Sequence, residues 1–313
     1  NDTVRYHDRL APGDFLEDFP GLDHIYLRLA WSYLEPQEGV YNWEVIDRVI
    51  EAWRAKGYGV AFRITCKETT ANQTYATPEW VRLAGAKGTM VTNQRDGSAT
   101  WEPDYGDPIF LEKLDNFHRA FAERYDGRDW VEYIDIGSYG EWGEGHTGFG
   151  TGKEYPFEVI KQHIDIWLKN YRKTRLVISD DFVSDRSADW ETRKRIYDYM
   201  REKGLSLRDD SICVEWYVLN FGLSTLKNPE WWADFWPSVP TVLELEHYHK
   251  TVKTDSFKGG APLAAAVEIM HATYIGFHGD ARQFQKDNPW LTPKLANRCG
   301  YYYFPESIEL PRS

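Results

Sequence analysis

The sequence predicts an α/β fold of the (β/α)8 TIM-barrel class, with a single catalytic domain over residues 1–300. Three observations predict it. Short apolar strand-like runs alternate with amphipathic segments from end to end, an order that calls for parallel strands with helical crossovers. Seven such units can be counted, and one N-terminal strand would make eight, in a chain of 313 residues against about 250 for a usual barrel. No glycine-rich phosphate loop follows an early strand, which weakens the alternative of a doubly wound open sheet.

The elements follow in order. Thr3–Leu10 is a poor strand but the one segment able to supply the eighth. Ile25–Trp31 is the first clear apolar run. Asn42 can cap a helix that carries Ile46, Val49, Ile50 and Trp53 at helical spacing and stops at Gly57. Val60–Thr65 reads as strand. Asp107-Pro108 is a cap followed by proline at the first helical position, and Phe110, Leu114, Phe117, Phe121 and Tyr125 mark one face of the helix it opens. Val131–Ile136 is strand, Phe157–Tyr171 helix, Arg175–Asp181 strand and Asp189–Lys203 helix. Ser211–Tyr217 is strand, and Asn228-Pro229-Glu230 opens a short Trp-rich helix. Thr241–Glu246 is strand, Pro262–Met270 helix, His271–His278 the last strand, and a helix around Trp290–Arg298 closes the series. The tail 301–313, with Tyr301-Tyr302-Tyr303-Phe304 before Pro305, reads as an extension or the start of a further β element, as if a C-terminal β domain were lacking.

Composition narrows the function. A hydrophobic content of 42% is ample for a core. A net charge of −12 argues against nucleic-acid partners and anionic membrane surfaces, and no apolar run approaches bilayer-spanning length. Cys66, Cys213 and Cys299 are too widely spaced for a disulfide framework or a metal knuckle, and Cys66 and Cys213, in or beside apolar strand-like runs, read as buried free thiols. The chain begins at Asn1 with neither signal sequence nor initiator Met, so it reads as processed or trimmed, and the expected location is secreted or periplasmic. Fourteen Trp and 20 Tyr supply more flat apolar surface than a core requires, and such surface suits stacking on sugar rings.

In a barrel, catalytic groups gather at the C-terminal ends of strands. Here those ends carry carboxylates and aromatics, with no Ser or Cys nucleophile motif. Glycoside cleavage needs two carboxyl groups flanking the scissile bond. The stretch Ile134–Thr147 breaks from a strand into Gly140-Glu141-Trp142-Gly143-Glu144-Gly145-His146, and Leu243-Glu244-Leu245-Glu246 ends another. Glu244 and Glu246 share a face by the period-two rule; Glu244 lies deeper and reads as an ion-pair partner, for instance of Arg28 or Arg63. Candidate stacking platforms are Trp31, Trp142, Trp216 and Tyr248; candidate hydroxyl contacts are Arg28, Arg63, His146, Asp180 and His278. Core packing or a structural ion pair is the plainer reading of Arg28 and Arg63. The expected partner is a carbohydrate substrate, with no cofactor and no catalytic metal. A metal-dependent hydrolase built on Glu246, His247 and His249 is a weaker reading, because their spacing differs from the helical zinc motif.

Leu29–Trp43, with its Trp-x-x-x-Glu-Pro-x-x-Gly-x-Tyr-x-Trp pattern, resembles the second-strand region of clan A glycoside hydrolases, notably their β-galactosidases. Thr77-Pro78-Glu79-Trp80 resembles the loop after their third strand. Gly140–His146 is similar to a Gly-x-Trp-Gly-Glu-x-His stretch of a bacterial domain-of-unknown-function family of barrel glycosidases. The resemblance implies a TIM barrel, an acid/base Glu after the fourth strand and a nucleophile Glu after the seventh, here Glu246. Clan A enzymes place Asn-Glu at the fourth strand, and this chain has no Asn-Glu. Glu144 fits the Trp-Gly-Glu-x-His stretch and also resembles the Gly-Glu of the inverting β-amylases, so Glu144 is the expected acid, Glu141 the alternative, and retention or inversion is left open. A barrel that binds sugar without cleaving it is the competing expectation.

Overall fold

The computed structural model describes residues 18–69, 74–92, 97–184, 189–215, 233–300 and 307. The chain divides into two compact units, Asn1–Asp210 and Ser211–Ser313. The first carries β1 (His24–Ala30), β2 (Gly59–Thr65), β3 (Gly88–Thr92), β4 (Ala99–Pro103), β5 (Val131–Asp135), β6 (Leu176–Ser179) and β7 (Ser206–Ile212), whose last two residues begin the second unit. β1, β2, β5, β6 and β7 neighbour one another in chain order and pair in parallel. That order lacks the reversal of a doubly wound sheet and is the order of the (β/α)8 class.

Local chemistry explains the elements. β2, Gly-Val-Ala-Phe-Arg-Ile-Thr, is buried at every position, as a parallel strand covered on both faces should be. The helix Glu44–Arg54 buries Ile46, Val49, Ile50 and Trp53, the stripe its spacing predicts. It starts at Trp43 with no side-chain cap, so Asn42 does not cap it. Asp107 does cap its helix, Pro108–Tyr125: its carboxylate accepts from the Ile109 and Phe110 N–H groups at 3.0 Å each. The buried face of that helix meets β2, where Phe62 and Phe121 pack edge to face at 5.3 Å. Burying each such ring stabilises the unit by roughly 2–3 kcal/mol.

The second unit carries β8 (Thr241–Leu245) and β9 (Tyr274–Phe277), paired in parallel. The helices Tyr248–Lys253, Ala261–Ile269, Ala281–Asp287 and Leu291–Ala296 accompany them.

Two elements differ from expectation. β7 lies at Ser206–Ile212 rather than 211–217. Its sequence, Ser-Leu-Arg-Asp-Asp-Ser-Ile, carries three consecutive charges that are nonetheless buried, and two of them, Arg208 and Asp210, pair inside the unit. β3 and β4 form an unanticipated antiparallel pair between β2 and β5 in the chain. The expected eighth strand at Thr3–Leu10, the helix opening at Asn228 and the Tyr301–Phe304 tail lie outside the described residues. Cys66, Cys213 and Cys299 are free thiols. Among the described residues no helix is long and apolar enough to cross a membrane.

Candidate active site

The strand register builds the first half of the site. Arg28 on β1 pairs with Arg63 on β2, and Arg63 with Asp135 on β5, so the three lie in one row across adjacent strands. All three are buried. Bare buried charges are expensive, and here each finds a partner. Arg208 Nε on β7 lies 2.7 Å from Asp135 Oδ2, and Tyr26 donates its hydroxyl to the same oxygen at 2.8 Å. Arg208 Nη1 also donates to Asp210 Oδ1. Arg63 Nη1 lies 3.6 Å from Asp210 and 3.8 Å from Asp135.

Glu144 enters this network from the loop after β5. Arg63 Nη2 donates to Glu144 Oε1, and Arg28 Nη1 lies 3.8 Å from the same oxygen. Arg28 Nε faces Glu68 at 3.7 Å. Glu144 and Asp210 thus meet the same Arg63 guanidinium, through Nη2 and Nη1. Burial works to raise Asp210, but the Arg208 and Arg63 guanidiniums outweigh it and hold that carboxyl below the usual carboxylate range.

The loop holding Glu144 is a tight knot. Arg63 Nε donates to the Trp142 carbonyl at 2.7 Å, and the Trp142 N–H donates to the Lys67 carbonyl at 2.9 Å. Ser138 is pinned at 2.7 Å by His163, whose Nε2–H donates to the Tyr105 carbonyl at 2.9 Å. Gly143 has φ +75°, and a Cβ there would meet the Gly137 carbonyl oxygen at 2.4 Å. Trp142 itself takes φ +50°, which costs a non-glycine residue roughly 1–2 kcal/mol. This answers why two acids sit among glycines: only glycine lets the chain fold back on itself closely enough to aim Glu144 at the arginines. The bend also turns Trp142 into a half-buried aromatic group with His146 and Phe149, ring centroids 5.5–6.1 Å apart. Phe149 is 48% exposed. His146 Nε2 lies 3.7 Å from Glu144 Oε2. Burial works to lower His146, but Glu144, Asp181 and Asp210 outweigh it and lift it to about 9.

Glu141, the alternative acid, is fully buried. It accepts from the Thr69 hydroxyl and lies 3.4 Å from Lys67 Nζ. It is less reachable than Glu144.

The second unit holds Glu246 one residue past β8. Its Oε1 accepts the His247 N–H at 2.7 Å, contacts His247 Nδ1 at 2.6 Å and lies 3.3 Å from Lys250 Nζ. Burial works to raise Glu246, but His247 and Lys250 outweigh it and hold it at about 2. Its environment keeps it ionised. Glu244 Oε1 pairs with His278 Nε2 at 2.9 Å. The strand stops at Leu245 and a helix begins at Tyr248. Strict alternation therefore lapses there, and His247 turns onto Glu246 instead of the opposite face.

Several expected binding residues have other surroundings. Trp31 is wholly enclosed: its Nε1 donates to Glu35 Oε2 at 2.8 Å and its ring lies 5.3 Å from that of Phe117. A ring with no exposed face cannot stack on a sugar, so Trp31 is core. Tyr248 is also buried, edge-on to Phe257 and Phe284, with its hydroxyl 3.0 Å from Asp287. Arg63 is fully enclosed and serves the ion network rather than a sugar hydroxyl. Arg28 is 9% exposed and Asp180 5%. Trp216 lies outside the described residues. Asp135, Arg208, Asp210 and Tyr26 escaped sequence reading, since no local pattern separates a buried charged strand from a loop. Phe149 escaped it too, although the short spacing Trp142, His146, Phe149 was the available signal.

The glycoside hydrolase family 42 model, described as beta-galactosidase, matches residues 23–148. Beta-galactosidase Pbg from Clostridium perfringens is 27% identical over 96 residues, 31% of this chain and 13% of that protein. The matched segment thus spans about an eighth of that relative. Among solved structures, endo-glycoceramidase II from Rhodococcus sp. has a TM-score of 0.53 at 14% identity, covering 86% of this chain and 68% of the other. A psychrophilic glycoside hydrolase family 10 endo-beta-1,4-xylanase has a TM-score of 0.51 at 13% identity, covering 88% of this chain and 83% of the other. At such identities the likeness is one of fold, and the fold is that of the TIM-barrel glycoside hydrolases.

Proposed function

We propose that the chain is a glycoside hydrolase that cleaves O-glycosidic bonds with two glutamates, Glu144 as general acid/base and Glu246 as nucleophile. The observation that carries the reading is the placing of the two carboxyls just past parallel strands, Glu144 after β5 and Glu246 after β8. Glu246 is kept ionised, with the three donors around it all directed at Oε1. Glu144 stands beside the group of Trp142, His146 and Phe149, with His146 Nε2 3.7 Å from its Oε2. Two carboxyls just past the C-terminal ends of parallel strands, one of them held ionised, suit an acid/base and a nucleophile. In the first step the Glu144 proton passes to the glycosidic oxygen, the bond to the anomeric carbon breaks, and a bond from Glu246 Oε2 to that carbon forms. Water then displaces Glu246 while Glu144 takes the water proton. Retention requires the carboxyls to lie about 5–5.5 Å apart and inversion about 6.5–9.5 Å; the reading favours retention because Glu246 is built as an ionised nucleophile. Trp142, His146 and Phe149 would stack on the sugar ring beside the cleaved bond.

The test is a panel of nitrophenyl glycosides, β-galactosides first because the matched family model and relative carry that name, together with plant and algal polysaccharides. Wild-type protein should release product from at least one, and NMR of the fresh product should show the anomeric configuration kept. Glu144→Gln and Glu246→Gln should each lower kcat by about a thousandfold or more. Full activity in Glu144→Gln would move the acid role to Glu141. A second reading, a barrel that binds sugar without cleaving it, is favoured by the contact of Arg63 with Glu144, which ties that carboxyl into a structural ion network. Binding with no release across the whole panel would select it.

A further inference from the structure

The geometry points to a second ligand site, at the end of the strands away from Glu144: a cavity of about 600 Å³ suited to a sugar-sized ligand that carries two or more phosphate or sulfate groups. It lies wholly within the first unit, between residues 127 and 205. Val131 and Leu176, the first residues of β5 and β6, line it, as does Leu205 just before β7. Glu144 follows the other end of β5, so the cavity is separate from the candidate active site. Five cations line it, Arg128, Arg172, Lys173, Arg175 and Lys203, against two carboxylates, Asp129 and Glu132. That balance runs against a chain of net charge −12. Lys203 meets Glu202 at 2.7 Å. Among the described residues the other four cations have no carboxylate within ion-pair distance. Cations on the surrounding helices do: Arg124 pairs with Asp47, Lys169 with Asp115 at 2.5 Å and Arg195 with Glu158 at 2.7 Å.

The cations are placed rather than loose. The Asp126 carboxylate accepts the backbone N–H groups of Arg172, Lys173 and Thr174 at 2.9–3.2 Å, which fixes the turn carrying three of them. Arg175 Nη1 donates to the Gly204 carbonyl at 3.0 Å, and Arg128 Nε to the Arg124 carbonyl at 2.9 Å. Each guanidinium is thus held by one carbonyl and keeps further N–H donors in the planar fork that matches phosphate or sulfate oxygens. Less side-chain freedom is then lost when an anion binds. The Lys173 stem packs on Gly127, where an added Cβ would meet its Cδ at 2.4 Å. Like charges gathered round one cavity repel, and a bound oxyanion turns that repulsion into attraction. The volume is that of a small-molecule site rather than of a bare ion. Among the described residues Tyr171 is the one aromatic in the wall, and it is buried, so the wall offers no stacking platform for a neutral sugar.

Isothermal titration calorimetry on the whole chain at about 50 mM salt tests the site. The probes are fructose 1,6-bisphosphate, a heparin-derived sulfated hexasaccharide, and glucose as the neutral control. At least one anionic probe should bind with a Kd below about 1 mM and glucose should not; salt at about 0.5 M should weaken the binding roughly tenfold or more. Arg128→Gln together with Arg175→Gln should weaken it by about tenfold or more, whereas Arg195→Gln, which removes a paired cation elsewhere, should leave it within about twofold. Tighter binding of the bisphosphate identifies a free small ligand, and tighter binding of the hexasaccharide a sulfated chain; either supports the site. No binding of either probe at about 10 mM overturns the inference. So does equal weakening in Arg195→Gln, which would mean diffuse attraction to surface charge. Should the double variant not fold, Arg172→Gln with Lys173→Gln decides, since neither side chain donates a hydrogen bond among the described residues. A failure here leaves the roles of Glu144 and Glu246 untouched, because none of these residues stands at that site.

Discussion

Two glycines of the same region give a sharp test of how Glu144 is placed. Gly143 has φ +75° and Gly152 φ +65°, so alanine at either must enter the left-handed region. That conformational cost is shared and amounts to about 1 kcal/mol once the loss of glycine's unfolded-state freedom is set against it. The surroundings differ. A Cβ at Gly152 meets nothing within 4 Å, whereas at Gly143 it meets the Gly137 carbonyl oxygen at 2.4 Å and the Gly137 Cα at 2.5 Å. Those are backbone atoms, which cannot swing aside as a side chain would. Moving the loop adds an overpacking cost of roughly 1–3 kcal/mol. Gly152→Ala should therefore destabilise by about 1 kcal/mol and Gly143→Ala by roughly 2–4 kcal/mol. Urea unfolding followed by far-UV circular dichroism measures both midpoints at a common slope. If the two variants fall within about 0.5 kcal/mol of each other, the close approach of the two loop segments is not what fixes this site.

Two further outcomes follow from the titrating groups. Burial holds His163 down to about 4 and His118 to about 3, so the native protein refuses protons that the unfolded chain binds at about 6.5; their stabilising contribution is whole above that value and is lost as pH falls toward 4. Between about pH 6 and 4.5 the slope of unfolding free energy against pH in His163→Gln should be shallower than wild type by roughly 1 kcal/mol per unit, and an unchanged slope would remove His163 from the account. His247→Phe deletes the 2.6 Å contact to Glu246 and keeps the backbone N–H bond; the acid limb of kcat/KM should move up by about one unit, and a limb that stays put belongs to some group other than Glu246.

The sequence was legible where one local pattern decides the matter. Asp107-Pro108 caps a helix because a short carboxylate before proline has little else to do, and the stripe Ile46, Val49, Ile50, Trp53 is buried because helical spacing leaves it one face. The glycine-rich stretch at Gly140–His146 announced a tight bend, and it is one. β7 was displaced by five residues because Arg208-Asp209-Asp210 looks like a loop; its burial depends on Asp135 and Arg63, which are more than 70 positions away in the chain. Pairing at that separation has no signature in a single sequence. Trp31 and Tyr248 were assigned to sugar stacking for a related reason. Residue type reports a flat apolar ring, but whether a face of that ring is open depends on what Phe117, Phe257 and Phe284 cover.

The position of Glu144 governs what it can do in both steps. The backbone ties from Arg63 to the Trp142 carbonyl and from Trp142 to the Lys67 carbonyl set where the carboxyl stands. A displaced carboxyl fails both as a proton donor and, in the second step, as the base that activates water. Gly143→Ala should therefore lower kcat on every leaving group, dinitrophenyl included, because the second step is common to all of them. Its kcat/KM, which reports the first step alone, should fall most on poor leaving groups, which need the proton. On one sugar with a graded series of phenols, log kcat/KM plotted against leaving-group pKa should be steeper for Gly143→Ala than for wild type. An unchanged slope would mean that the bend at Gly143 does not place the proton donor.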